Sequence, residues 1–280
     1  MANPWRNNDV FGANCGGPQR QCYSASAIET FAAAGRTEVM LEYPLNETVF
    51  RCAHCDLHAG DGQWAFAVKN TAAIDEAWRQ ARESNPHYFN GVIHLIDSLD
   101  TGNDRLRARL LRTDFKSYLY WRQAGFPQTG VLDAFGSALI RSRDGAIILG
   151  RQRAGNVNGG LAYLPGGFID ARDVGPDGRI AIAESIWREL AEETGLGAAD
   201  VTRQPGFWVT QTAVHVSIAA AYHTDLDAEA LKKQIESHIA QDPASELTEA
   251  VIVRGPADLR GLAMPPYARV LLAALFTQAT

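Results

Sequence analysis

The residues best equipped for chemistry lie in one short run, Arg188-Glu189-Leu190-Ala191-Glu192-Glu193-Thr194-Gly195-Leu196. At 100° per helical residue, Glu189, Glu192 and Glu193 fall within an arc of roughly 100°. Three carboxylates so close repel one another, and the only cation beside them in the run is Arg188. The ordinary reading is a solvated acidic face. The chemical reading is that divalent cations neutralise the cluster. All-oxygen ligation favours Mg²⁺, Mn²⁺ or Ca²⁺ over zinc, and Mg²⁺ held by carboxylates and waters polarises phosphate oxygens and activates water. Upstream, Leu161-Ala162-Tyr163-Leu164 leads into Pro165-Gly166-Gly167.

Arg-Glu-apolar-x-Glu-Glu-x-Gly-apolar after a strand ending in Gly166-Gly167 is the core of the Nudix box, and the chain resembles the Nudix hydrolase family from about Gly130 onward. From average residue frequencies the fixed tail arises by chance on the order of once in 10⁵ chains of this length, which sets it apart from an accidental acidic face. The resemblance implies that Glu189, Glu192 and Glu193 hold Mg²⁺ (or Mn²⁺). It implies that Arg188 orients a glutamate through a salt bridge and that Gly167 lets the backbone approach metal or phosphate. The implied function is metal-dependent pyrophosphohydrolysis of a nucleoside diphosphate linked to a group X. Water attacks one phosphorus, and metals and arginines meet the growing negative charge.

One departure stands out. The usual box places five residues between the glycine and a first glutamate, then seven before the arginine. Here the interval from Gly167 to Arg188 is 21 rather than 14, so the stretch from Asp170 to Arg179 carries an insertion of seven residues. Asp170, Asp173, Asp177 and Glu184 are open candidates for the first glutamate's counterpart. An insertion of this kind is similar to two branches of the family, the coenzyme A pyrophosphatases and the animal UDP-glucose/UDP-galactose pyrophosphatase. Ala77-Trp78-Arg79, Asn85 to Gly91 and Leu111 to Lys116 lean to the second, which implies a nucleotide-sugar substrate. The rivals are coenzyme A, ADP-ribose or dinucleotide hydrolysis, and a Nudix-like ligand-binding module without turnover.

Other polar residues are candidates by position. Glu246 and Glu249 precede the apolar stretch Ala250 to Val253, and Glu246 is the preferred general base or further ligand, which must reach the attacking water. Arg151 and Arg153 alternate onto one face. If that face is the cleft, their guanidinium forks clamp a diphosphate beside Gly166 and Gly167. Tyr163, Phe168, Trp208 and Tyr222 are candidates for stacking a base or sugar, against the ordinary reading that they are core. His87-Tyr88-Phe89 is either a substrate wall or packing against Trp78. Cys52-Ala53-His54-Cys55 with Cys15 and Cys22 invites a zinc reading. The expectation is no structural zinc, since small thiols in strands bury well.

These residues need a scaffold. The chain has 280 residues, 46% hydrophobic and 21% charged, with 26 Lys+Arg against 32 Asp+Glu. That composition excludes global disorder. A net charge of −6 and the lack of a basic stripe disfavour nucleic acid and an anionic membrane as partners. The start has no basic-then-apolar signal, so the expected location is the cytoplasm. A homodimer is possible through the first part of the chain. The expected fold is α+β in two parts. Residues 1–125 form a small leader domain, and residues 126–280 an α/β/α sandwich around a mixed sheet, with the boundary at Gly125 to Gly130. Strands are expected at Val39–Tyr43, Thr48–Phe50, Trp64–Val68, Val92–Ile96, Phe135–Arg141, Ala146–Leu149, Val214–Tyr222 and Ala250–Val253. Helices are expected at Ala25–Ala34, Thr71–Glu83, Asp114–Gln123, Ile182–Thr194, Asp227–Ala240 and after Pro265-Pro266.

Overall fold

The structure, a computed structural model, describes residues 47–278. Cys15, Cys22, the Ala25–Ala34 helix and the Val39–Tyr43 strand lie outside the described residues. The first elements are β1 (Thr48–Cys52), β2 (His54–Gly60), α1 (Ala65–Lys69), α2 (Thr71–Ser84), β3 (Val92–Gly102), β4 (Arg105–Asp114) and α3 (Phe115–Gln123). There follow β5 (Leu132–Arg141), β6 (Ile147–Gln152), β7 (Ala162–Tyr163), β8 (Gly166–Phe168), α4 (Ile182–Thr194) and β9 (Thr202–Arg203). The chain closes with β10 (Phe207–Gln211), β11 (His215–His223), α5 (Ala228–Gln241), β12 (Leu247–Val253) and α6 (Pro266–Gln278).

Trp64–Val68 is not a strand. Trp64 is the N-cap of α1, and the segment is helical. Trp-Ala-Phe-Ala-Val alternates like a strand, which would set Trp64, Phe66 and Val68 on one face. Instead Trp64 alone is buried, edge-on to Trp121 at 5.4 Å, and Val68 is 59% exposed. Anchoring one large ring outweighs the pattern. Strands β2, β4 and β10 were not among the expected elements. Yet β4 alternates cleanly, with Leu106, Ala108 and Leu110 buried between arginines. Its hairpin with β3 turns through Asn103 and Asp104, both at positive φ (51° and 58°), the conformation that two-residue hairpin turns demand.

The strands run β1-β10-β11-β5-β3-β4-β2, with β8 and β6 on β5 and β12 on β6. β5 is parallel to β11 and β2 to β4, while the other pairs are antiparallel, so the sheet is mixed. Alternation sends consecutive side chains to opposite faces. Ala138, Ile140, Ile148 and Ile218 pack under α4 and α5 through Ile186, Leu190, Leu231 and Ile235. Leu139, Ile147, Leu149 and Ala219 pack against Leu271, Leu272 and Leu275 of α6. Each Leu or Ile side chain among them contributes about 1.5–3 kcal/mol when fully buried. The expected α+β class, with a mixed sheet between helices, is the observed one. The sheet continues across the 125/126 point, because Leu95 and Ile96 of β3 pair with Asp133 and Leu132 of β5. No helix among the described residues is long and apolar enough to cross a membrane.

The inserted stretch is built into this sheet. After one 3₁₀ turn at Ala171–Asp173, it reverses through Gly178 at φ 78°. The Ala59 N–H then donates to Gly178 O at 2.8 Å, and the Ile180 N–H donates to Leu57 O at 2.9 Å. The extra residues thus cover β2, an edge strand whose open backbone groups would otherwise go unpaired.

Candidate active site

Helix α4 carries the acidic run. Its stripe Ile182, Ile186 and Leu190 is buried against the sheet, which sets the helix's rotation. Gly195 ends it at φ 70°, with a backbone bond to Ala191 O, the left-handed cap that glycine adopts at no steric cost. On this rotation Glu189 lies against β8. A Cβ on Gly167 would come within 2.6 Å of the Glu189 carboxylate, and one on Gly166 within 2.1 Å of Gly136 O. Both glycines are needed for close approach. Neither is there for an unusual φ.

Arg188 and the insertion form one network. Arg188 donates to Asp173 Oδ1 at 2.7 Å and to Glu189 Oε1 at 3.3 Å, and it lies 3.7 Å from Asp170. Asp173 is buried and also accepts from Ser185 Oγ at 3.0 Å and the Asp170 N–H at 2.9 Å. Of the four candidates, Asp173 is therefore the partner of Arg188. Asp170 binds Arg172, Asp177 accepts from the Arg179 N–H in the turn, and Glu184 is exposed in the first turn of α4. The bond to Asp173 holds Arg188 charged beyond its ordinary range.

Glu189, Glu192 and Glu246 line one cavity of about 1320 Å³, together with Gly166, Gly167 and Arg172. Burial pushes Glu189 up to about 7, with Glu192 and Glu246 adding repulsion and Arg188 opposing it. Glu246 is exposed on the cavity wall, and desolvation by neighbouring protein atoms and the Glu192 charge raise its carboxyl too. Glu193 faces elsewhere. It is buried, accepts from Tyr163 Oη at 2.6 Å and from the Gly166 N–H at 2.9 Å, and burial drives its carboxyl well above the usual range. Among the described residues, no three His, Cys, Asp or Glu side chains are already drawn together tightly enough to hold a metal ion. The donors that Glu189, Glu192 and Glu246 offer on the cavity wall are nevertheless all carboxylate oxygens, which suit a hard divalent cation. Their mutual repulsion is what such an ion would relieve.

Arg151 and Arg153 turn away from the cavity. Arg151 donates to Glu249 at 2.5 Å and Arg153 to Ser245 O at 2.7 Å, while Gln152 between them lines the wall. The arginines on the cavity wall are Arg122 and Arg172. Nothing in the local spacing marks Arg122, which comes from α3 through the tertiary fold. Asp133, His215 and Tyr118 also line the cavity, unmarked in the same way. Tyr163 and Phe168 belong to the wall, whereas Tyr222 is buried under Trp187 and Trp208 sits beneath Arg51. His87, Tyr88 and Phe89 line the cavity, and Tyr88 also stacks on Trp78 at 6.3 Å. Cys52 and Cys55 end β1 and enter β2 with their Sγ atoms 3.7 Å apart.

No family model and no curated protein matches the chain. Solved structures similar to it include the MutT protein from Methanosarcina mazei Go1, 21% identical over 53% of this chain and 96% of that one, TM-score 0.33. Another is the Nudix hydrolase RenU from M. smegmatis, 15% identical over 53% and 84%, TM-score 0.35. A third is a bifunctional NMN adenylyltransferase/ADP ribose pyrophosphatase from Francisella tularensis, 16% identical over 58% and 46%, TM-score 0.35. Likeness this slight adds no weight to an assignment of function, which rests on the residues of the site.

Proposed function

We propose that the protein is a Nudix-type pyrophosphohydrolase that cleaves a nucleoside diphosphate linked to a second group, best a nucleotide-sugar, with Mg²⁺ or Mn²⁺. The observation that carries this reading is the convergence of Glu189, Glu192 and Glu246 on one cavity beside Gly166-Gly167. Behind them, Arg188 is neutralised by the buried Asp173. Glu189, Glu192 and Glu246 would hold the cation. Glu193 accepts one hydrogen bond on each oxygen, from Tyr163 and from the Gly166 N–H, and would join through a remaining lone pair. When bound, the ion supplies positive charge at the diphosphate and a more acidic water. Glu246, on the cavity wall outside the acidic helix, would either complete the cation's ligands or take the proton from attacking water. Arg172, on the cavity wall, meets charge developing on the leaving phosphate. The nucleotide-sugar branch is supported by the outer wall, where His87, Tyr88 and Asn90 add polar and aromatic surface.

The test is phosphoanhydride cleavage over UDP-sugars, ADP-ribose, coenzyme A and dinucleotides with Mg²⁺ or Mn²⁺. Turnover of one compound is expected, reduced at least about 100-fold in Glu189→Gln and Glu192→Gln, the scale of losing a group that meets transition-state charge. Wild-type protein that cleaves none of them, yet melts higher with one present, would replace the hydrolase by a binding module.

A further inference from the structure

We propose that the inner wall of the cavity around Asp133 is a nucleobase subsite, in which the Asp133 carboxyl accepts an N–H from the base edge. This rests on the reading that the ligand is a nucleotide, and it adds which end of the cavity holds the base. Asp133 is 2% exposed and lines the cavity. Its Oδ2 accepts from Tyr118 Oη at 3.0 Å, but its Oδ1 has no hydrogen-bond partner among the described residues. A buried acceptor left unmade is costly, and natural interiors satisfy nearly all of them. His215 does not make good the deficit. Its Nε2 is 3.8 Å from Oδ2, its Nδ1 faces Thr212 Oγ1 at 3.2 Å, and burial holds it down to about 4, neutral at physiological pH. Arg122, also on the wall, donates from Nη2 to Val157 O and Asn158 Oδ1 and makes no hydrogen bond to Asp133 Oδ1.

The surroundings favour a planar ring. Phe126 and Phe135 stand edge-on to His215 at 5.3 and 6.3 Å, Phe135 meets Tyr267 at 4.6 Å, and Phe168 meets Tyr118 at 4.8 Å. Apolar aromatic walls with a polar acceptor set among them bind a flat heterocycle that donates one hydrogen bond. A free sugar, with hydroxyls all round, would leave most of its donors unmatched against these rings. The spacing also fits. Asp133 and Ser137 line the cavity from one face of β5, and Ser137 pairs with Gly166 of β8. Four residues at the rise of a strand are ~13 Å, comparable with the reach from a base edge to the phosphates of a nucleotide.

The experiment is calorimetric titration of the full chain, with Mg²⁺, using AMP, GMP, CMP, UMP and ribose 5-phosphate. One nucleotide is expected to bind better than ribose 5-phosphate. In Asp133→Asn its affinity falls about 10- to 100-fold, while ribose 5-phosphate is unchanged. A second arm needs no variant: wild-type protein is titrated with the preferred nucleotide methylated at its base N–H, and the same loss is expected. Equal affinity for ribose 5-phosphate and every nucleotide, or full retention of affinity by the methylated base, would overturn the subsite. Base-selective binding without cleavage of any compound sinks the hydrolase reading and leaves the subsite standing. Cleavage with base-blind affinity does the reverse.

Discussion

At the scale of single residues, the site is a set of buried or half-buried charges whose partners decide their roles. Glu189 and Glu193 are four residues apart on one helix, yet Glu189 opens to the cavity and Glu193 is tied to Tyr163 and the Gly166 backbone. Arg188 is reserved for the buried Asp173 and cannot serve as a free phosphate ligand without exposing that carboxylate. Asp133 and His215 make opposite contributions to pH dependence. Burial raises Asp133 from 3.8 to about 7, against the Tyr118 hydrogen bond and the Arg122 charge, and lowers His215 from 6.5 to about 4. Asp133 keeps its proton in the folded state after the unfolded chain has lost it. Its contribution to stability therefore falls as pH rises from about 4 to about 7. His215 acts the other way, costing stability as pH falls from about 6.5 towards 4. The difference in unfolding free energy between wild type and Asp133→Asn isolates the first. From denaturant melts at pH 4 to 8, the wild type is expected to lose ground to the variant by up to about 4 kcal/mol. A pH-independent difference would show that Asp133 ionises normally.

At the scale of elements, the active geometry depends on how closely β8 approaches α4. The two glycines of β8 are required for different reasons, and their substitutions separate fold from function. A methyl at Gly167 meets the end of the flexible Glu189 side chain, while a methyl at Gly166 meets the Gly136 backbone. Gly167→Ala is expected to melt within a few degrees of wild type yet lose about tenfold or more in kcat, because Glu189 must move. Gly166→Ala is expected to lower Tm much further, because backbone must shift. Comparable Tm losses in both variants would show that the β8–α4 contact serves folding alone. Helix α4 itself was readable from sequence over its whole observed length, since a buried apolar stripe and a C-terminal glycine coincide in one segment. Strand β4 carries an equally regular alternation, but its buried residues are interleaved with arginines, which hides it in the sequence. Three of these, Arg105, Arg107 and Arg109, bond to Asp56, Asp100 and Asp97, partners that only the sheet brings alongside.

At the scale of the whole molecule, the expected division at 125/126 runs through shared structure. β3 pairs with β5, the insertion lies on β2, and Ile96, Leu106 and Leu110 share a core cluster with Ile186 and Leu190. The cavity, too, takes Tyr88, Tyr118 and Arg122 from before that point and Glu189, Glu192 and Glu246 from after it. A fragment of residues 126–280 is expected to show no cooperative thermal transition by circular dichroism, whereas the full chain does. A cooperative melt of the fragment would restore the two-part division. The acidic run, its glycine cap and the Gly166-Gly167 turn were legible from sequence because the residues that matter are neighbours along the chain, within reach of helical and strand periodicity. The tertiary structure alone decided that Asp173 is the partner of Arg188, that Gln152 faces the cavity while Arg151 and Arg153 do not, and that Arg122 and Asp133 belong to the site. Each of these depends on which face of a strand turns inward and on which strands become neighbours. That is settled when the whole sheet buries its apolar residues at once, and no local window of sequence contains it.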